Sequence, residues 1–440
     1  MSAAAARPPR PRLGRAFANV FTANLSSSLG DGVARVAAPL LAARLTDDPF
    51  LVSGVAAVAL LPWLFLAIPA GILLDRIDRR HALALANGVR TVLALGLVAL
   101  AWTGTLTIWS LYAVVFLYGA FETVYDGAIR AVVPSIVRPR DLPRANSRIE
   151  AGEITVQNFL SAPLTSALFA VAVVVPLGVG ALTYAAAFVL AFFLPAAAAG
   201  EHRTQPADGP PVRWYRQVAD GFRFIWAHPM LRPLWLLSTV VGICFSAATA
   251  TLVLYVLDEL GVPEGWFGAF MLAGALGSLL AAAVATPLKD RFRSGPVMAV
   301  ANLLTPAMLV VIGLAPVVPV AAVGLALAFG GTTVWNVHVM SLRQAVIPSR
   351  LLGRVHGTWR TLLWGAMPLG SFLGGLLARV DLTAPLVVGG GLAVVTGLVG
   401  FRFLARLPNP EDVVPATAPD GAPATRPSGE GSAAVPAGDR

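Results

Sequence analysis

Two pairs of ionisable residues stand at helical spacing inside apolar runs: Asp31 and Arg35 in SSLGDGVARVA (27–37), and Glu122 and Asp126 in FETVYDGAIR (121–130). Residues four apart share a helix face, so Asp31 and Arg35 are able to pair. Two carboxylates at that spacing in a low dielectric compete for one negative charge, which suits a group that must bind and release a proton. A charge at a bilayer centre costs at least about 2.5 kcal/mol, so Asp31 and Arg35 are expected to face a wet cavity rather than lipid. Glu153 is a further embedded acid, with Glu150 near a helix end, and the embedded bases are Arg90, Arg360 and, near an interface, Arg130. All the embedded carboxylates fall in the first half of the chain. The second half offers Trp335, Asn336, His338, Trp359 and Trp364 instead. A division of labour follows. Asp31, Glu122 and Arg35 are candidates for proton coupling, while Glu153, Gln157, Trp335, Asn336, Trp359 and Trp364 are candidates for lining a substrate cavity.

These residues need long apolar helices to hold them. The 440 residues are 57% hydrophobic and 12% charged, with mean hydropathy +0.74, whereas a soluble domain carries about 25% charged residues. The composition is that of an all-α polytopic membrane protein. At about 20 apolar residues per span, the sequence holds about twelve candidate helices between residues 17 and 405. The net charge of +9 comes from basic residues dispersed in short clusters, 31 of the 32 being arginine. That pattern is a topology signal and not a nucleic-acid face. Basic joints (7–15, 75–81, 138–144, 200–232, 289–293, 343–354) alternate with neutral or acidic ones (46–49, 258–265, 315–319, 381–385). The positive-inside rule then puts both termini in the cytoplasm, and an even helix count agrees by placing them on one side.

The expected organisation is a cytoplasmic tail (1–14), a six-helix bundle (15–199), a cytoplasmic linker with an amphipathic helix (200–232), a second six-helix bundle (233–407) and a disordered tail (408–440). In the linker, RWYRQVADGFRFIWAHPMLRPL sets aromatic and aliphatic residues at helical spacing opposite Arg and Asp, as in interfacial helices. The tail is rich in Pro, Ala, Gly and Asp and has little to bury. RAVVPS (130–135) recurs as QAVIPS (344–349), and LLDRIDRR (73–80) has a degraded counterpart in PLKDRFR (287–293). Two such matches at nearly one offset point to parallel halves related by an axis along the membrane normal.

GILLDRIDRR (71–80) resembles the signature G-x-x-x-D-R-x-G-R-[KR] of the major facilitator superfamily through Gly71, Asp75, Arg76, Arg79 and Arg80; Asp78 stands where that pattern has a second glycine. RAVVPSIVRPRDLPRAN (130–146), GFRFIWAHPMLRPL (221–234) and IPSRLLGRVHGTWR (347–360) are similar to the branch that holds enterobactin-exporter and macrolide-efflux-like proteins. The resemblance implies the major facilitator fold, two bundles rocking around a midplane cavity, and export of a hydrophobic or amphipathic small molecule driven by proton influx. It also implies a conformational latch: Asp75 facing the N-terminal end of the eleventh helix, where the macrodipole favours an anion, and Arg79 paired with Asp126 beside Arg130.

An enzyme is the rival class. The chain has no H-E-x-x-H, no G-x-S-x-G and, with Lys289 its sole lysine, no G-x-x-x-x-G-K-[ST] loop. No cofactor or metal is expected: Cys244 is alone, and three of the five histidines (His81, His202, His228) fall in cytoplasmic segments. The expected partners are a small-molecule substrate, protons or another coupling ion, and lipid, with the chain acting as a monomer in the plasma membrane. An importer or uniporter of a small metabolite, and more remotely a non-transporting sensor or lipid scramblase, are the alternatives. The charge asymmetry is checked by cysteine labelling in a Cys244-free background. A cysteine at position 210 should stay unlabelled by an impermeant reagent outside intact cells, and labelling there would refute the orientation.

Overall fold

With no water inside a bilayer to bind exposed amides and carbonyls, so apolar a chain has to close its backbone hydrogen bonds within each segment, and helices do so. The computed structural model describes residues 13–74, 77–194 and 214–413, and among them every regular element is helical. Ten helices are long and apolar enough to cross a membrane. The shorter apolar α2 (Pro49–Phe65), continued by α3 (Ala67–Leu74), and the 32-residue α1 (Gly14–Leu45) complete twelve crossings.

The first six are α1, α2–α3, α4 (Arg79–Trp102), α5 (Ile108–Ile136), α6 (Leu142–Ile154) running into α7 (Ser161–Val171), and α8 (Val174–Phe192). After α9 (Trp214–Ala227), the second six are α10 (Leu231–Thr249) with the short α11 (Leu252–Leu254), α12 (Glu264–Phe292), α13 (Ser294–Leu314), α14 (Val318–Val346), α15 (Ser349–Ala378) and α16 (Gly390–Ala405). The ends are written in local chemistry. Asp48 caps α2 by accepting from the Phe50 amide at 3.0 Å, with Pro49 in the first turn. Thr107 and Ser110 cap α5 reciprocally. RAVVPS ends α5 and QAVIPS ends α14, so the repeat closes equivalent helices of the two halves.

Within the first set, α4 and α1 pack on α8, and α5 packs on α4 and α2; within the second, α14 packs on α12 and α13, and α16 on α13 and α10. Two seams join the sets, α2 against α15 and α7 against α12. A two-fold axis that exchanges the halves exchanges these seams. The fold is that of the major facilitator superfamily. The structure has a basic face, where 77–78 and 289–293 lie, and a far face, where 46–48 and 260–263 lie.

Small residues make the seams. A Cβ on Gly268 would run into the Ala162 backbone, and the Gly268 amide donates to Ser166 Oγ at 2.7 Å. Gly375 approaches Ser53 and Phe50 equally closely on the other seam. On the basic face, α9 packs on α15, and Gly221 lies against Thr358. The chain beyond α16 does not simply trail off at 408: Pro410–Asp412 form a turn, Glu411 pairs with Lys289 at 3.3 Å, and Asn409 accepts from the Ser294 amide at 2.8 Å. The remainder, 414–440, lies outside the described residues.

Because the α7–α12 seam holds two separately packed bundles together, overpacking it should part them without unfolding either. Gly268→Leu is expected to destabilise the closed seam by about 1–3 kcal/mol. The readout is disulfide yield between Ala170→Cys and Gly265→Cys, whose positions touch. The yield should be high in the parent and fall with Gly268→Leu; an unchanged yield would show that the seam tolerates the volume.

Candidate functional site in the cleft between the bundles

Asp31 and Arg35 do not pair, contrary to what their spacing allows. Gly30 lies against Tyr184 and Gly32 against Ser161 and the Gln157 backbone, so α1 sits close to α8 and to the π-helical turn Thr155–Leu160 that links α6 and α7. That closeness gives each charge a nearer partner on another helix. Asp31, 8% exposed, accepts from Arg90 Nη1 at 3.1 Å and from the Tyr184 hydroxyl at 2.7 Å. Arg35, whose side chain is 56% exposed, turns into the cleft and donates to Glu122 at 2.9 Å and Gln157 at 3.0 Å. The π turn supplies Gln157, as such turns often do at functional sites.

Arg90 is fully buried, and the Tyr125 and Tyr184 rings lie 5.1 and 5.4 Å from its guanidinium carbon. It also donates to Ser27, which in turn donates to Asn87 at 2.9 Å. Beside them the Tyr125 hydroxyl donates to Asn24, and Asn24 donates to Glu153 at 2.8 Å. The polar interior of the first bundle thus extends from Asp31 to the half-buried Glu153 carboxylate. Asp31, Arg35 and Glu122, with the Tyr118 and Tyr184 rings, share a 240 Å³ cavity whose remaining walls are mostly Ala, Val and Leu.

Second-half candidates divide. Trp335, Asn336 and Trp364 line a 200 Å³ cavity between α10, α13, α14 and α15. Trp359 does not join them: it is 4% exposed, packed in the core beneath the Arg343 guanidinium at 4.2 Å. Trp364 also borders a 290 Å³ cavity between the bundles that holds Asp126 and Arg130.

The expected latch is only partly within view. Asp75 and Arg76 lie outside the described residues, and Gly71 falls in α3. Arg79 donates to the Ala131 carbonyl at 2.9 Å instead of pairing with Asp126. Arg80 pairs with Asp78 at 2.8 Å, and Asp78 caps α4 with φ −61°, so a residue with a side chain is unstrained where the superfamily pattern has glycine.

Every ion pair between the bundles among the described residues is at the far face: Arg44 with Glu264, and Arg379 with Asp48 at 2.6 Å. The cleft is sealed there. Sequence reasoning missed this clasp because its partners lie 220 and 331 residues apart. It missed the Arg90 partnership for the same reason, although a charge in the middle of an apolar helix was the signal.

Two bundles joined by two pseudo-equivalent seams, with charges and aromatics facing a cleft sealed at one end, define a transporter of the major facilitator class. Residues 8–423 match the transmembrane secretion effector family model, and the chain belongs to that family of the superfamily. It is 26% identical over 415 residues to the enterobactin exporter EntS of Citrobacter koseri, covering 93% of this chain and 96% of that one. It is 28% identical over 410 residues to the multidrug efflux pump Tap of Mycobacterium bovis, covering 89% and 94%. Among solved structures, the nucleoside transporter NupG superposes with TM-score 0.74 at 11% identity, covering 89% of this chain and 100% of that one. A bacterial homologue of the iron transporter ferroportin in an inward-facing state gives TM-score 0.70 at 17% identity, covering 90% and 100%. Both likenesses show the fold.

The clasp has a pH signature. The hydrogen bonds from Arg379 hold the Asp48 carboxyl, in the far-face loop, below the usual carboxylate range. A depressed pKa means that the clasp's contribution is present above the ordinary value and lost as pH falls through the depressed one. Spin labels at Thr107 and Val317 should therefore report one far-face distance from about pH 8 to 5, widening only below about 4. Asp48→Asn should widen it throughout; wild-type opening near neutral pH would mean that another group controls this face.

Proposed function

We propose that this protein is a proton-coupled exporter of a hydrophobic or amphipathic small molecule, working by alternating access in the plasma membrane. In this reading the basic face and both termini are cytoplasmic, and the structure is the state that loads substrate from inside. The relatives support the direction, since EntS and Tap are named as an exporter and an efflux pump. The apolar walls of the 240 Å³ cavity support the substrate class.

One observation carries the coupling: Arg35 bridges to Glu122 in the cavity that also holds Asp31. Glu122 is reachable from the cleft and is held by an exposed cation, so a proton and Arg35 compete for it. Asp31 is locked by Arg90 and Tyr184. Protonation of Glu122 frees Arg35, and reformation of the pair expels the proton. In the sequence, its place midway along a helix favours Asp31 as the exchanging group, with Glu122 second; the burial of Asp31 supports the reverse order.

Glu122→Gln mimics the protonated state and should abolish gradient-driven accumulation in proteoliposomes while leaving substrate exchange. Uphill transport by Glu122→Gln at near wild-type rate would shift the role to Asp31, tested by Asp31→Asn. If both neutral variants still couple, the protein is a uniporter or uses another ion.

A further inference from the structure

Arg360 of α15 is a guanidinium without a polar partner. Its Nε is buried with no hydrogen-bond acceptor, and it forms no ion pair among the described residues. Two indoles, by contrast, form a corner against it. The guanidinium carbon is 4.3 Å from the Trp63 ring centre and 4.2 Å from that of Trp364, and the two indoles meet edge to face at 5.6 Å. A guanidinium held in such a corner by cation–π contact keeps the N–H groups on its open side for another acceptor. Those groups border the 290 Å³ cavity between α2, α5 and α15.

Charge in that cavity does not balance. Arg130, exposed and likewise without an ion pair among the described residues, is a second guanidinium on its wall, and Asp126 is the sole carboxylate there. His356 adds no charge: its Nδ1 lies 2.9 Å from Arg343 Nη2, and because arginine only donates, that nitrogen carries the lone pair. Two cations and one anion leave one positive charge uncompensated on the wall of this cavity, and the half-buried Arg360 within a span is the kind of ionisable group that membrane proteins retain for function. The other embedded arginines of the first bundle, Arg35 and Arg90, each have a carboxylate.

We propose that the Trp63–Arg360–Trp364 cluster is the substrate's anchoring site, and that it selects a monoanion, a carboxylate or an oxyanion of like shape, carried on an aromatic or otherwise flat apolar body. This rests on the exporter reading and narrows its substrate class. The guanidinium edge takes the oxyanion in a forked pair, and the indoles stack on the body. Trp63 belongs to the first bundle, Arg360 and Trp364 to the second, so the ligand bridges the parts that must move. It also removes an obstacle to that motion. Bringing α5 against α15 without a ligand drives two unpaired guanidiniums together as water leaves, whereas a bound monoanion completes neutrality.

The test uses the full chain in lipid nanodiscs at neutral pH, with three probes that share one ring system: naphthoate, naphthylmethanol and naphthylmethylammonium, followed by equilibrium dialysis. Naphthoate should bind saturably, with the alcohol and the ammonium at least about tenfold weaker. Arg360→Gln should erase that preference by weakening naphthoate alone, and Arg360→Lys, which keeps charge but loses the fork, should fall between. Trp63→Leu should weaken all three together. Equal affinity for the carboxylate and the alcohol, tighter binding of the ammonium, or naphthoate affinity unchanged in Arg360→Gln would overturn the assignment. Should Arg360→Gln lose its monodisperse elution, the decision passes to Arg360→Lys, where wild-type selectivity would count equally against it. No gradient is applied, so this result is independent of whether Glu122→Gln still couples transport to protons.

Discussion

A fully buried guanidinium governs the first bundle. Arg90 sits at the centre of four helices, and the cost of leaving such a charge unpaired is about 3–5 kcal/mol. The packing around it is therefore restricted to arrangements that bring α1's Asp31 to its Nη1, α8's Tyr184 to the same carboxylate, and the rings of Tyr125 and Tyr184 to its faces. Gly30 and Gly32 are what allow α1 to come that near. Once Asp31 is committed to Arg90, Arg35 must look elsewhere, and it finds Glu122 and Gln157 across the cleft wall. One buried pair thus sets both the register of the bundle and the charge presented to the cavity.

The halves share a plan but not a chemistry. Both seams use glycine against backbone or a small side chain, as the two-fold relation requires. Yet the second bundle's described helices carry arginine on tryptophan, Arg343 on Trp359 and Arg360 on Trp63 and Trp364, where the first carries arginine on carboxylate. An aromatic face stabilises a cation without neutralising it. Arg35 and Arg90 of the first bundle are therefore compensated, and Arg360 of the second keeps its positive charge on the cavity wall.

Much of this was legible in the sequence and some was not, for definable reasons. Span number, the two halves and the fold class follow from apolar length, loop charge and the RAVVPS–QAVIPS repeat, all local or periodic signals. The ionic residues of the cleft announced themselves by cost, because Asp31, Arg35, Glu122 and Asp126 interrupt apolar runs. Partnership did not announce itself. Spacing of four makes Asp31–Arg35 possible, but helical proximity competes with contacts between helices, and Arg90 wins through its deeper burial. Trp359 shows the complementary failure. Side-chain type says that an indole suits a cavity, and only packing says which face of α15 it occupies.

Sealing and opening then reduce to where the bundles are tied. Ion pairs at the far face, Arg44–Glu264 and Asp48–Arg379, are exposed, and exposed pairs are worth at most about 1 kcal/mol each. The glycine seams beneath them are built on close backbone approach, which relaxes in steps and not gradually. A weak clasp over a stiff seam gives two discrete states separated by a small free energy, as a rocking carrier needs. Substrate has only to shift that small difference, and the site proposed for it lies where leverage is greatest: at the α2–α15 seam, where Trp63 meets Trp364.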